Sequence, residues 1–558
     1  MRIYQNETID IPQDLSLTEL LHQSAGGRKL LDSHLIAKDN LSNRSLTIAE
    51  LRTRAGRIAH GLLKHFQPQD QSRWMVLVPN SVDYVELVHA ILWSGGVACP
   101  VNHALVMTEI AHAINITRPH FIFVYGPELE KVAEAVRLAE KRFAERNIQW
   151  GRPQVITVIK SAPGYVHSPD DIIGEEILGI PHYDDTSKRL ATIHLSSGTT
   201  GSPKGVELTH FNYVANCYQL FAHDPAQWPA SARHVAYTPY VHIAQTMPAV
   251  FFAPWTGMMY HAMPTFDIET YAQLVESNQS TNHLLIPSVA LELATSDLTS
   301  RYDFSSSRSF TVGQLSMDEE QIAKLVSRAP WRIVNLYGMT EAAPYVAYQK
   351  LEEAPPIGTI GGLLPNVQAM LKKENGEDAP EGGPGELWVR GPNITRGYVF
   401  NESASKAAFP LPGWYNTGDV CTISKEGWLS VVGRTKELIK YKGFQVSPVE
   451  LEIYLGADPL VHEAAVGGRY DATQLTEVPA GYVVLKDPAL SAEEKRVALI
   501  ELHAAVDKQV SGYKKLRGGV WEVRELPRNA TGKLLRAKLH EARTGICSLS
   551  YGHRMAKL

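Results

Sequence analysis

The densest chemical pattern in the chain is one run, Leu195-Ser196-Ser197-Gly198-Thr199-Thr200-Gly201-Ser202-Pro203-Lys204-Gly205-Val206. Glycines let successive backbone N–H groups turn toward one anion, and the hydroxyls and the Lys204 ammonium add donors. That is the composition of a phosphate cradle. It is not a Walker A loop, because no Gly-Lys-Ser/Thr ending closes it. Gly/Ser/Thr clusters are also the ordinary stuff of flexible surface loops, so composition alone leaves both readings open.

The elements around the run are those of an α/β protein. A strand over Thr192–Leu195 enters it and a helix opens near Thr209. Upstream, Thr47 and Glu50 form a capping box before Leu51, Ala55, Ile58 and Leu62 at helical spacing, and Pro68 marks the stop. Trp74–Val78 predicts a strand, Val82–Trp93 a helix, and Val97–Val101 and Phe121–Tyr125 further buried strands. Strands are also expected at His234–Thr238, Leu284–Pro287 and Arg332–Leu336. Such alternation implies βαβ units and parallel sheet. The texture changes at the turn cluster Glu381–Gly385, after which Glu386–Arg390 and Trp428–Gly433 predict short strands. A smaller α+β stretch follows, with helices starting near Ser447-Pro448 and Ser491. We place a boundary at Gly433 to Lys436, giving a large part over 1–433 and a small part over 434–558.

Composition bounds what such a chain does. Its 558 residues exceed one domain of about 150. With 44% hydrophobic and 20% charged residues it is globular in composition. A net charge of −5 leaves no cationic excess for a nucleic-acid backbone, so no nucleic-acid partner is expected. The cysteines, Cys99, Cys217, Cys421 and Cys547, form no CxxC pair, which fits a reducing compartment. The most apolar region, Met247 to Met263, is interrupted by Pro248, Pro254 and Gly257, so no membrane span is expected. The first residues lack the apolar core of a secretory signal. The ending Ala556-Lys557-Leu558 is close to the Ser-Lys-Leu peroxisomal address, which predicts a peroxisomal import receptor as partner and the peroxisome as location.

The glycine-rich run resembles the phosphate loop of the adenylate-forming superfamily of acyl-CoA ligases, 4-coumarate–CoA ligases, beetle luciferases and peptide-synthetase adenylation domains. Four further motifs follow in the family's order. Tyr337-Gly338-Met339-Thr340-Glu341 looks like the adenine and magnesium motif, and Tyr415-Asn416-Thr417-Gly418-Asp419 like the ribose motif. Gly433-Arg434-Thr435-Lys436-Glu437-Leu438-Ile439-Lys440-Tyr441-Lys442-Gly443-Phe444-Gln445 is similar to the hinge motif. Pro527-Arg528-Asn529-Ala530-Thr531-Gly532-Lys533 is similar to the motif of the catalytic lysine. The resemblance implies a large multi-subdomain N-terminal domain of αβαβα type and a small mobile α+β C-terminal domain turning about Lys436.

It also implies roles, each with a physical reason. Ser196, Ser197, Gly198, Thr199, Thr200, Gly201 and Lys204 would hold ATP phosphates, and Asn335, Leu336, Tyr337 and Gly338 would border the nucleotide. Glu341 is a hard carboxylate suited to Mg²⁺ beside phosphates, and Thr340 offers a hydroxyl to the α-phosphate. Asp419 can accept both ribose hydroxyls; without the resemblance, a capping Asp is an equal reading. Arg434 can fork onto ribose or phosphate oxygen, its plain alternative being a surface ion pair with Glu437. Lys533, in a Thr-Gly-Lys turn with helix-like sequence after it, can bridge carboxylate and α-phosphate as charge builds. Lys440, a second catalytic residue, would face the site in the second state with the coenzyme-binding Lys442 and Gly443. His242 would stand beside the acyl pocket with Ala244, Gly313 and Gln314; a lone His between apolar residues is otherwise an ordinary core side chain. It is not a general base, since a carboxylate needs no deprotonation at pH 7.

The reaction so implied has two steps. A carboxylic acid attacks MgATP to give an acyl-adenylate and pyrophosphate, and the thiol of coenzyme A then displaces AMP. Alternatives are another acceptor, namely a carrier-protein thiol or oxygen as in luciferases, and an inactive binding relative. About 25 residues after Lys533 argue against a fused carrier. The acyl pocket departs from the coumarate enzymes. Ala244 stands where an aromatic is usual, Val312-Gly313-Gln314-Leu315-Ser316-Met317 replaces Ser-Gly-Ala-Ala-Pro-Leu, and Asn335-Leu336 replaces Gln-Gly. These changes predict an acid other than plain coumarate: a medium or long acyl chain, or an unusual aryl or polyketide-derived acid.

Overall fold

The computed structural model describes residues 2–196, 203–313, 323, 325–328, 331–356, 358–434, 437–441, 444–471, 474, 476–510, 512–528 and 534–549. Its first sheet has eight strands, in the spatial order Gly397–Tyr398, Lys204–Thr209, Leu190–Ser196, Val97–Pro100, Arg73–Leu77, Phe121–Tyr125, Gln154–Val158, Val166–Ser168. From Leu190–Ser196 onward the strands are parallel. The two at the other edge are antiparallel. A second sheet sets Asn282–Leu285, Ser309–Gly313 and Arg332–Gly338 parallel, then turns back through Tyr345–Tyr348 and Gly362–Leu363.

A four-stranded sheet, in the order Arg233–Ala236, Met259–Ala262, Leu35–Asp39, Ser45–Thr47, and the first sheet both contact helices that the sequence marks clearly. The 48–66 helix starts on the expected box, with the Glu50 N–H donating to Thr47 Oγ1 at 3.2 Å and the Thr47 N–H to Glu50 at 2.8 Å. The 82–93 helix is buried on every face. Its two carboxylates, Asp83 and Glu86, are therefore paired: Arg44 reaches them at 2.7 and 2.8 Å, and Arg54 also holds Glu86. A helix enclosed all round belongs to an inner layer, as the αβαβα expectation requires.

The β-rich stretch after residue 360 is an antiparallel sheet of Tyr4–Gln5, Gln368–Lys372, Gly385–Arg390, Tyr415–Ile423 and Leu429–Arg434. The N-terminal strand joins it from the far end of the sequence. Beyond Arg434 a hairpin, Ile439–Tyr441 with Phe444–Val446, leads into the helix Pro448–Gly456. A four-stranded sheet follows, with the helix Ala492–Gln509 beside it. The main hydrophobic core has buried members from Leu15 to Leu429, whereas those of the small part run from Ile439 to Cys547. All four cysteines are buried as free thiols. Among the described residues no helix is long and apolar enough to cross a membrane.

Candidate active site

The glycine-rich run does not lead from strand to helix. Lys204–Thr209 forms an antiparallel strand that pairs back on Leu190–Ser196, with Lys204 opposite Ser196. The helix His210–His223 then opens on a Thr209 cap, where the sequence puts it; the unforeseen element is the strand before it. The two described ends of the run are therefore antiparallel strands of one hairpin. Ser197, Gly198, Thr199, Thr200 and Gly201 lie outside the described residues; Ser196 and Lys204 mark the two ends.

Lys204 points toward a buried acid. Its Nζ sits 4.8 Å above the ring of Tyr398, whose hydroxyl donates to Glu341 Oε1 at 3.0 Å. Glu341 is 8% exposed and lies in the 3-10 turn Thr340–Ala342 after the strand Arg332–Gly338. Burial raises its pKa above the usual carboxylate range, opposed by Tyr398, Lys204 and Ser196. Ser196 Oγ is itself buried without a well-formed hydrogen bond, close enough to act on that acidity. A buried carboxylate with so little compensation suits a divalent cation. Among the described residues no cluster of three metal-ligating side chains occurs, so Mg²⁺ bound to Glu341 would take its other ligands from phosphate and water, its ordinary habit.

Gly338 allows the turn to form. A Cβ there would stand 2.3 Å from the Pro344 carbonyl oxygen, a clash with backbone. The turn is held from behind by Asn393, whose Nδ2 donates to the carbonyls of Ala342 and Tyr345, each at 2.9 Å. The Thr395 N–H donates to the Glu341 carbonyl at 2.7 Å. Nothing in the local sequence announces Asn393 or Tyr398, because their partners are tens of residues away. Asn393→Ala is expected to cost about 1–3 kcal/mol of stability by leaving the Ala342 carbonyl without its donor, while the Tyr345 carbonyl keeps Asn216 at 2.9 Å, read as a lowered unfolding midpoint in denaturant.

Asp419 is the second buried acid, 5% exposed, in the strand Tyr415–Ile423. The Tyr337 hydroxyl donates to its Oδ2 at 2.5 Å. Burial and this carboxylate both push the Tyr337 phenol far up, so it stays a donor. The Asp419 N–H is tied to Thr417 Oγ1 at 3.0 Å, and Thr417 in turn donates to the Leu387 carbonyl at 2.8 Å. Arg434 lies opposite Asp419 across the strand pair. Glu437 accepts from Arg536 at 3.0 Å. Tyr415 closes the gap between the two acids. Its hydroxyl is 3.1 Å from that of Tyr398, and its pKa is raised by burial, by Glu341 and, less, by Asp419. Asn335 N–H donates to Gln349 at 3.2 Å, while its own buried Oδ1 has no partner among the described residues. Leu336, next along, is half-buried.

His242 is no core side chain. Its ring is open to solvent yet enclosed by protein, as on the wall of a cleft, and that enclosure lowers its pKa, leaving it neutral at pH 7. Nδ1 accepts from the Ala244 N–H at 3.3 Å, capping a short turn that continues as the π-helix Thr246–Phe252. Single π-turns often mark functional sites. Tyr345, opposite Gly338, donates to the Ala244 carbonyl at 3.4 Å. Burial lowers the pKa of His194, two residues before Ser196, and the nearby His242 adds to the depression. His242 and Ala244 thus adjoin both the phosphate hairpin and the Glu341 turn. Gly313 ends the strand Ser309–Gly313, opposite Leu336, and Gln314 lies outside the described residues.

Lys436, Lys442, Gly443 and Lys533 also lie outside the described residues. Lys440 is placed by its strand, opposite Gln445. The residues after the lysine loop form only a 3-10 turn, Arg536–Lys538, in place of the expected helix. Two clefts of about 580 and 600 Å³ lie elsewhere, beside Trp255 and beside Trp428. Neither contains these residues, and the site is identified by its chemistry.

With that geometry in hand, similarity to known proteins is informative. Residues 29–399 match the model of the AMP-binding enzyme family, and residues 450–533 that of the AMP-binding enzyme C-terminal domain. A probable 4-coumarate–CoA ligase 1 of Dictyostelium discoideum is 31% identical over 84% of this chain and 85% of its own. A phenylacetyl-CoA ligase of Aspergillus niger is 28% identical over 97% of this chain and 99% of its own. The crystal structure of the anthranilate CoA ligase AuaEII with anthranoyl-AMP shares the fold at a TM-score of 0.83, with 21% identity, covering 96% of this chain and 98% of that one.

Proposed function

The chain belongs to the AMP-binding enzyme family, and from that premise we propose that it is an AMP-forming acid–CoA ligase with Mg²⁺ as its cation. The supporting observation is two buried phenol–carboxylate contacts: Tyr398, 3.1 Å from Tyr415, donates to Glu341 beside the Ser196–Lys204 hairpin, and Tyr337 donates to Asp419 on the same strand as Tyr415. It sets a phosphate end and a ribose end in one site.

The substrate acid enters as its carboxylate beside His242, which is neutral and adds no competing charge. It attacks the α-phosphorus of ATP; the P–O bond to pyrophosphate breaks and an acyl-adenylate forms. Ser196, Lys204 and the residues between them hold the phosphates, with Thr340 directing a hydroxyl at the α-phosphate. Asp419 accepts from the ribose hydroxyls while Tyr337 fixes its other oxygen. When bound at Glu341, Mg²⁺ neutralises phosphate charge. Lys533 stabilises the charge that builds on the α-phosphate. The small part then turns about Lys436, bringing Lys440, Lys442 and Gly443 to the site, and the coenzyme A thiolate attacks the acyl carbon to release AMP. The acid is one other than plain coumarate, a medium or long acyl chain or an unusual aryl or polyketide-derived acid, a reading supported by Ala244 where the coumarate enzymes carry a ring.

A panel of aryl and acyl acids, each incubated with MgATP and coenzyme A, tests the reading. At least one is expected to give its CoA thioester with AMP and pyrophosphate. An acyl-adenylate that coenzyme A cannot discharge would transfer the enzyme to another acceptor. No adenylate from any acid would leave an inactive binding relative.

For location, the peroxisome remains our proposal, resting on Ala556-Lys557-Leu558, which lie outside the described residues. A reporter ending in residues 547–558 is expected to enter peroxisomes by way of their import receptor, and one lacking the last three to stay in the cytosol. Equal distribution of the two would overturn it.

A further inference from the structure

The loop that carries Lys533 is closed at its base by an isolated β-bridge between Arg528 and Leu534. Beside it, the Leu535 N–H donates to the Pro527 carbonyl at 2.8 Å. An arginine fastens each leg of this base. On the incoming leg Arg528 lies 3.4 Å from Glu463. On the outgoing leg Arg536, with its side chain 17% exposed, reaches three separate segments. Its Nε donates to Glu437 at 3.0 Å. Its terminal nitrogens fork onto Glu452, in the helix Pro448–Gly456. Nη1 also donates to the Val466 carbonyl at 2.8 Å, while the Val466 N–H holds Glu452 at 2.7 Å.

Glu437 is the residue directly after Lys436, and Arg536 follows Lys533 by three positions. One guanidinium therefore ties the first described residue past the hinge to the end of the lysine loop. We propose that Arg536 is a positioning residue for acid activation: it makes the Lys533 loop and the hinge-side segment turn as one body. The proposal rests on the acid-activating reading above. Lysine cannot substitute, since a point charge on a flexible stem cannot hold two carboxylates and a carbonyl in fixed directions.

Two variants separate this role from plain stabilisation of the small part. Arg536→Lys keeps a charge near Glu452 but loses the fork. Glu437→Gln removes only the charge from the hinge-side link, at a side chain that is 29% exposed. Three quantities are read for each: acid-dependent pyrophosphate exchange, KM for ATP, and thioester formation from a supplied acyl-adenylate and coenzyme A. Arg536→Lys is expected to slow exchange about 10- to 100-fold, since a displacement of about 1 Å suffices for that. KM for ATP should stay within about twofold and thioester formation within about threefold, because the loss falls on one transition state. Glu437→Gln is expected to show the same split at several-fold size. Equal losses in both half-reactions, or a Glu437→Gln enzyme that exchanges like the parent, would overturn the positioning role. Absence of exchange in the parent enzyme would instead overturn the acid-activating reading.

Discussion

Lys533→Ala is expected to lower acid-dependent pyrophosphate exchange by roughly 10²–10³-fold, the loss seen when one preorganised donor to a developing oxyanion is removed. The attack places extra negative charge on an α-phosphate already crowded by the incoming carboxylate. A single ammonium between the two offsets that repulsion only while the charge is building. ATP binding should therefore change far less than the exchange rate. Thioester formation from a supplied acyl-adenylate should also survive, since in our proposal Lys533 has left the site by then. A variant that exchanges at the parental rate would remove Lys533 from the chemistry. One that loses both half-reactions equally would point to damage of the small part.

Asp419→Ala should act mainly through ATP. The carboxylate accepts the Tyr337 hydroxyl and, in our reading, the ribose hydroxyls. Hydrogen bonds to a charged group contribute about 1.5–3 kcal/mol each, so losing two from ribose weakens ATP by about two to four orders of magnitude. The Tyr337 hydroxyl, buried and locked as a donor, is left without its acceptor, which also lowers stability. Asp419→Asn separates the effects: an amide oxygen can still accept from Tyr337, so stability recovers while ATP affinity does not. KM for ATP and unfolding midpoints of the two variants are the measurements. An Asp419→Ala enzyme with parental KM for ATP would contradict the ribose assignment.

Local physics made much of this legible in the sequence. The Val82–Trp93 helix and the Phe121–Tyr125 strand fall where periodicity and apolar run put them, because each is fixed by residues within its own length. The Thr47 box was readable for the same reason. The hairpin strand Lys204–Thr209 was not. Its inward side chains, Val206 and Leu208, are too few to show a period, and a glycine precedes them. Its register is set by Leu190–Ser196 and by Gly397–Tyr398. The site divides in the same way. Residue types that carry chemistry, such as Glu341 and Asp419, stood out by kind and order. Tyr398, 57 positions from the carboxylate it holds, and Asn393 behind the same turn were invisible, since only the packed fold brings them to their partners. Arg536, which holds Glu437 from 99 residues away, was invisible for the same reason.

The central claim is that a carboxylate oxygen of the substrate attacks the α-phosphorus of ATP. The most direct measurement uses the best acid of the panel labelled with ¹⁸O in both carboxylate oxygens, with ATP and coenzyme A unlabelled. Mass spectrometry of the products then locates the label. One ¹⁸O in AMP and one in the thioester carbonyl is the predicted result, because the bridging oxygen of the acyl-adenylate leaves with AMP. Label in inorganic phosphate with formation of ADP, or unlabelled AMP, would contradict the account.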